Sequence, residues 1–258
     1  MRVTEAPDLI ARLEAVEPSR WHLRARLLVG SATFFDAFDA LSLAFVLPVL
    51  VRQWGITPVQ IGWLIATGYL GQFVGALLFG ALAERQGRVR AVSAATALMS
   101  VMSLACAWSG SIGGLLACRL VQGIGVGGEM PVAAAYISEL SRAQHRGRFF
   151  LFYELLFPIG LMMTGQIGAV LVPRFGWQVM FMLGGVPGLL IAALIWRLPE
   201  SPRWLIGRGR FQEAQVVLRE MESAAGTSSR RGGPSGLPTV AGTSDTMAPT
   251  PRRGGPSG

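Results

Sequence analysis

The amino-acid sequence predicts an all-α protein, a polytopic membrane bundle of six transmembrane helices. Three observations predict it. The 258 residues are 51% hydrophobic and only 15% charged, with a mean hydropathy of +0.46, whereas a soluble domain carries about 25% charged residues. Apolar runs long enough to cross a bilayer as a helix, about 20 residues each, occur six times. The basic residues are all arginines, and they crowd into alternate connections between those runs.

Residues 1–26 are polar and charged and show no cleavable signal peptide. Within them Leu9, Ile10, Leu13 and Val16 recur at helical spacing. That pattern predicts an amphipathic segment lying on the bundle or the membrane surface. The transmembrane bundle covers residues 27–197, with apolar runs at about 27–51, 59–82, 91–108, 114–140, 149–172 and 177–196. Pro48, Pro131, Pro158 and Pro187 lie in or near these runs, where proline is tolerated and kinks the helix. Residues 198–222 follow as a second surface helix, with Phe211, Ala214, Val217, Leu218 and Met221 on one face. Residues 223–258 are rich in Gly, Ser, Thr and Pro and repeat "RRGGPSG" twice. Too few apolar side chains remain there to offset the entropy of ordering, so the tail is expected to be disordered. The exact repeat, placed where the membrane pattern stops, points to a truncated or frame-shifted gene product.

Arginine distribution also predicts orientation, because short cytoplasmic loops are enriched in basic residues. The N-terminal segment has Arg2, Arg12, Arg20, Arg24 and Arg26, and the second connection has Arg85, Arg88 and Arg90. The fourth has Arg142, Arg146 and Arg148, and the segment after the sixth run has Arg197, Arg203, Arg208, Arg210 and Arg219. The opposite side has Arg52 and Arg174. Both termini are therefore expected in the cytoplasm. A basic chain can also bind nucleic acid, but its arginines would then cluster on one folded domain; here they do not, so nucleic acid is excluded as a partner.

The stretch Arg119–Pro131, "RLVQGIGVGGEMP", contains G-x-G-x-x-G at Gly123, Gly125 and Gly128. A dinucleotide fingerprint needs a strand before it, and an apolar run of membrane length stands there instead. Gly123 with Gly127, and Gly71 with Gly75, read as small-xxx-small pairs that let helix backbones approach closely. Cys106 and Cys118 lie in apolar stretches without metal-ligand spacing and read as small apolar fillers. No cofactor or metal is implied. No nucleophile–base pair stands out either, and His22 and His145 lie in the polar segments, so an enzyme is excluded.

Five ionisable residues fall well inside the apolar runs, away from their ends: Asp36, Asp39, Arg119, Glu129 and Glu154. Each costs about 2.5–3.5 kcal/mol at a helix centre, so they should face the bundle interior and be paired. Counting the rise of 1.5 Å per residue from each end puts Asp39 and Arg119 within about 4 Å of one membrane level. Glu129 and Glu154 both fall in the inner third. Arginine stays charged, so a proton carrier must be a carboxylate, with Asp39 the first choice and Asp36 the second. The alternative is a static ion pair that fixes helix register.

These residues carry a resemblance to the N-terminal six-helix half of a major facilitator superfamily transporter. "GALAERQGRVR" (Gly80–Arg90) resembles that family's loop between helices two and three, departing at Glu84 and Val89. The stretch from Arg119 through "RGR" at Arg148, and "PESPRWL" (Pro199–Leu205), are similar to the sugar-porter branch. "FFDAFD" (Phe34–Asp39) and "GGEMPVA" (Gly127–Ala133) look more like proton-coupled carriers of organic acids such as niacin or aromatic acids. The resemblance implies that Asp39 couples protons with Arg119 as partner, and that Glu154, Glu129 and Gln122 lie at the substrate cavity. It implies that Gly80, Glu84, Arg85, Gly87, Arg88, Glu139, Arg146, Arg148, Glu200 and Arg203 form a cytoplasmic gating network that locks the outward-open state. The fold would be half of a twelve-helix bundle, in a bacterial plasma (inner) membrane.

The function expected is therefore secondary active transport, a proton-coupled uptake of a small organic metabolite, in half-length or truncated form. Its partners would be the lipid bilayer, protons, a small-molecule substrate such as an organic acid, and a second transporter half. The rival expectation is a non-transporting membrane fragment or regulatory module that associates with a partner half.

Overall fold

The computed structural model describes residues 5–141 and 146–231. Among them every regular element is an α-helix: α1 (Glu5–Ala15), α2 (Arg20–Trp54), α3 (Pro58–Gln86), α4 (Arg88–Ala107), α5 (Ile112–Leu140), α6 (Arg146–Glu154), α7 (Leu156–Phe175), α8 (Gln178–Ile195), α9 (Pro202–Gly207) and α10 (Phe211–Arg231). Helices α2, α3, α4, α5, α6 with α7, and α8 are the six crossings. Five of them are long and apolar enough to span a bilayer taken singly. The other, α5, is 29 residues long, with Arg119, Gln122, Glu129 and a run of glycines diluting its apolar content.

Local chemistry sets the ends. Thr57 and Gln60 cap α3 reciprocally: the Thr57 N–H donates to Gln60 Oε1 at 2.8 Å and the Gln60 N–H to Thr57 Oγ1 at 3.4 Å, with Pro58 in the first turn. Ser111 Oγ accepts from the Gly114 N–H at the start of α5. Pro158 explains the break between α6 and α7. It has no N–H for the carbonyl of Glu154, and its ring clashes there, so the helix opens at Leu155.

Two expected boundaries need correction. The resemblance makes Gly80–Arg90 a loop, but α3 runs to Gln86 and α4 starts at Arg88, leaving Gly87 as the turn at φ 109°. Hydropathy marks where a helix leaves the apolar layer, and hydrogen bonding carries it further. The second is the tail. Helix α10 continues to Arg231 rather than stopping at residue 222, because Ala224 and Ala225 are good helix formers and Ala225 packs with Met221 on the neighbouring helices. Residues 232–258, including the second repeat, lie outside the described residues.

Packing runs α3–α5–α4–α8–α2–α7 across the bundle, with α2 returning to touch α5. The third crossing, α4, has 56% of its apolar window buried inside, against 28% for α3 and 17% for the crossing that contains α7, so α3 and α7 are the two flanks. They show Tyr69, Phe73 and Leu77, and Leu155 and Met162, to the surroundings. The glycine pairs make the closest seam. A side-chain carbon on Gly71, Gly75, Gly123 or Gly127 would collide with the backbone of the facing helix, so α3 and α5 touch backbone to backbone. Gly125 faces α4 instead, where an added carbon would lie 2.6 Å from the Met99 nitrogen.

At the arginine-rich end, α1, α9 and α10 bury Leu9, Leu13, Trp204, Leu205, Leu218 and Met221 against one another. The two amphipathic segments thus cover each other's apolar faces at the end of the bundle. Arg12 clamps Glu222 through Nε and Nη2, both at 3.0 Å.

Candidate functional site

Asp39 lies midway along α2 and Arg119 in the second turn of α5, and the fold brings them into contact. Arg119 Nη1 donates to Asp39 Oδ2 at 2.9 Å and to Gln122 Oε1 at 3.0 Å. Gln122 Nε2 donates to Asp39 Oδ1 at 2.7 Å. The three side chains close a triangle, because Arg119 and Gln122 are three apart and share one helix face. All are buried, with Asp39 5% and Arg119 8% exposed. A buried ion pair is tolerated only when further hydrogen bonds satisfy both partners, and Gln122 supplies them. Arg119 Nε is the exception, with no partner among the described residues. The guanidinium also lies 6.0 Å from the centre of the Phe181 ring on α8. Cys106 on α4 contacts Gln122 Oε1 through Sγ at 3.6 Å.

Asp36 is on the same face of α2, and its Oδ1 has no partner among the described residues. With Asp39, Gln72, Arg119 and Gln122 it lines a cavity of about 30 Å³, the space of about one water.

Glu129 lies further along α5. Thr33 Oγ1 donates to Glu129 Oε1 at 3.0 Å and stands 2.7 Å from the Tyr153 hydroxyl. Glu129 is 0% exposed, and its Oε2 has no partner among the described residues. The charges that act on it are Asp36 and Glu154, both acidic. Glu154 is half-buried at the break between α6 and α7. Of the three residues expected at a substrate cavity, Gln122 thus joins the Asp39 cluster, Glu129 is enclosed with Thr33 and Tyr153, and Glu154 stands at the kink.

A third group holds the arginine-rich end. Arg88 Nη2 pairs with Glu84 at 2.7 Å and Arg88 Nε with Glu139 at 3.1 Å. Glu200 accepts from the backbone N–H groups of Arg88 (2.9 Å), Val89 (3.2 Å) and Ser201 (2.9 Å), sitting on the N-terminus of α4. Burial pushes its carboxyl above the ordinary glutamate value, against the pull of those three N–H groups. A side chain on Gly87 would run into the Glu200 carboxylate. Arg203 Nε donates to the Glu139 carbonyl at 3.1 Å, and its Nη2 pairs with Glu14 of α1 at 3.2 Å. Arg85 is exposed, and Gly80 has open space around it. The side chains of Arg146 and Arg148 lie outside the described residues.

The family model for "Sugar (and other) transporter" matches residues 25–230. The chain belongs to this family. Among curated relatives, the niacin transporter NiaP of Acinetobacter baylyi is 35% identical over 219 residues, covering 85% of this chain and 50% of the relative. The 4-hydroxybenzoate transporter PcaK of Pseudomonas aeruginosa is 35% identical over 210 residues, covering 81% and 47%. The chain therefore spans about half the length of the curated relatives it matches. Among solved structures, the major facilitator superfamily proton:xylose symporter XylE superimposes with a TM-score of 0.72 at 22% identity, over 82% of this chain and 52% of that one. The fold is the six-helix N-terminal half of that superfamily.

Several site residues of this sugar (and other) transporter family member are silent in the sequence. Thr33 and Tyr153 carry no charge, yet they hold Glu129. Trp204 Nε1 donates to the Glu84 carbonyl at 3.0 Å, and the Tyr136 hydroxyl to the Pro199 carbonyl at 2.8 Å. Helical spacing gives a signal in two cases: Thr33 stands three residues before Asp36 on α2, and Tyr136 three before Glu139 on α5.

Proposed function

We propose that the chain is the N-terminal half of a secondary carrier that couples proton movement to uptake of a small organic acid. Asp39 carries the proton and Arg119 is its counter-charge. The observation that carries this reading is the closed, buried triangle of Asp39, Arg119 and Gln122 at the edge of a water-sized cavity. Arginine keeps its proton, so Asp39 is the member of the pair whose charge can change. A proton on Asp39 cancels the attraction to Nη1 and frees the guanidinium. Asp36, whose Oδ1 has no partner among the described residues, is the next carboxylate in line. The niacin and 4-hydroxybenzoate named in two relatives favour an organic acid as substrate.

In this reading the arginine-rich end faces the cytoplasm of a bacterium, with the chain in its inner membrane. The Glu84–Arg88–Glu139–Glu200–Arg203 group locks that end while the opposite end is open. Alternating access in this superfamily rocks two halves about a site near the midplane, so a second half is required for turnover. The test is uptake of labelled nicotinate and 4-hydroxybenzoate into vesicles that carry the chain with a C-terminal half co-expressed. Accumulation that follows an imposed proton gradient supports the reading. Binding to the partner half without uptake of any organic acid overturns it in favour of a regulatory module.

A further inference from the structure

The chain has two cysteines, Cys106 and Cys118, and both are free thiols. Spacing along the chain does not pair them; the seam between α4 and α5 does. These two helices are joined by a short turn and run antiparallel. At Gly125 their backbones touch: an added side-chain carbon would lie 2.6 Å from the Met99 nitrogen and 2.8 Å from the Ala95 oxygen. Cys106 stands two helical turns after Met99, and Cys118 two turns before Gly125, about seven residues in each case. Antiparallel helices in that register present the two cysteines to each other across the same seam. Side-chain contacts point the same way. Cys106 Sγ reaches Gln122 Oε1 at 3.6 Å, and Gln122 lies one turn beyond Cys118 on the same face of α5. The Cys106 thiol is also within hydrogen-bonding reach of the Cys118 thiol. Both belong to one apolar cluster with Leu115 and Phe181. Cys106 is 0% exposed, whereas Cys118 is only partly buried.

We propose that Cys106 and Cys118 are a two-thiol oxidation site, which a small disulfide, R–S–S–R, converts into a bridge between α4 and α5. A disulfide needs Cα atoms within about 7 Å of each other, and a seam this tight brings two backbones that close. Exposure sets the order of events. The Cys118 thiolate attacks one sulfur of the small disulfide and expels one R–S⁻, which takes up the proton that Cys118 gave up. The enclosed Cys106 thiolate then attacks the Cys118 sulfur, and the second R–S⁻ leaves with the proton from Cys106. The chain gives up two electrons and two protons, and R–S–S–R becomes two R–SH. The bridge draws Cys106 Sγ off Gln122 Oε1 and ties α4 to the residue before Arg119. The oxidation state of the pair therefore acts on the Asp39–Arg119–Gln122 triangle. In the orientation proposed above, the pair lies toward the outer face, the side where disulfides persist. The bridge itself depends neither on that orientation nor on transport.

The test uses the full chain in lipid nanodiscs, with dithiodipyridine, a small apolar disulfide, as the oxidant. The intact mass should fall by two hydrogens with no thiopyridyl group retained, and a non-reducing digest should link the peptides that carry Cys106 and Cys118. Dithiothreitol should restore the original mass. Cys106→Ser should keep one thiopyridyl group on Cys118, because nothing remains to displace it. Cys118→Ser should react at least tenfold more slowly than Cys106→Ser, because its remaining thiol is enclosed. If a variant does not fold, the unsubstituted chain still decides the matter by two further measurements. Phenylarsine oxide, which holds two adjacent thiols at once, should protect it from the oxidant. The oxidised chain should also melt at a higher temperature than the reduced one, since the bridge constrains the unfolded chain. Retained thiopyridyl groups on the unsubstituted chain, cross-links between chains, or no protection by the arsenical each show thiols that do not meet, and overturn the proposal. A lower melting temperature after oxidation overturns it as well, because the bridge then forms only by distorting the seam.

Discussion

Asp39→Asn should uncouple uptake from the proton gradient while leaving substrate exchange measurable. Asparagine is nearly isosteric with protonated aspartic acid and has no proton to release. The structure sets the side effects. The side-chain oxygen can still accept from Gln122 Nε2, and Arg119 keeps Gln122 Oε1 and the Phe181 ring. What is lost is the 2.9 Å charge-assisted bond. Such bonds contribute about 1.5–3 kcal/mol, against about 0.5–1.5 for a neutral one, so the variant should be destabilised by about 1–2 kcal/mol. Arg119→Ala is more severe. It removes both Nη1 bonds and leaves Asp39 buried without a counter-charge, which costs about 3–5 kcal/mol. Thermal unfolding in detergent should rank the two in that order. For coupling, one carboxylate, Asp39, is ion-paired with Arg119, so one proton should move per substrate. A gradient of about two pH units then supplies about 2.7 kcal/mol, or roughly 100-fold accumulation. Asp39→Asn should level at a ratio of about one, with exchange retained. The assay is uptake into sealed vesicles against external pH, with a C-terminal half supplied. Gradient-driven accumulation by Asp39→Asn would refute the assignment. Loss in Asp36→Asn alone would move the proton to the other carboxylate, and normal accumulation by both would leave a static ion pair.

The glycine seam gives a stability contrast. Gly75→Ala forces a carbon into the Ile124 backbone and should cost about 1–3 kcal/mol or more, whereas Gly80→Ala meets open space and should leave the melting temperature unchanged or raise it. Equal melting of the two would refute backbone-to-backbone packing of α3 and α5. Glu200→Ala removes an acceptor shared by three N–H groups and should destabilise by about 1–2 kcal/mol; Glu200→Gln, which keeps an oxygen there, should recover part of that in the same melt. A double-mutant cycle on Arg12 and Glu222 should return no more than about 1 kcal/mol, since both side chains are over a third exposed. Reporter fusions after Gly110 and Phe175 should read as external, and those after Arg90 and Arg148 as cytoplasmic; one reversed connection breaks the orientation.

By itself the sequence determined the number of crossings, the contrast between the two ends, and that Asp39 and Arg119 come to one level along the bundle. These follow from one-dimensional quantities: apolar length against bilayer thickness, arginine count per connection, and rise per residue. The glycine spacing also carried over, since Gly71, Gly75, Gly123 and Gly127 can admit a helix wherever it comes from. What the sequence withheld was azimuth, the direction each side chain faces once helices from distant parts of the chain are packed. Thr33 and Tyr153, 120 residues apart, meet over Glu129 only because α2 and α6 are neighbours. The same packing sets Gln122 on Asp39 and leaves Arg119 Nε without a partner among the described residues. Helix ends were likewise decided by hydrogen bonds and tertiary contacts, which run past the apolar layer: α3 reaches Gln86 and α10 reaches Arg231 because the backbone there keeps its partners.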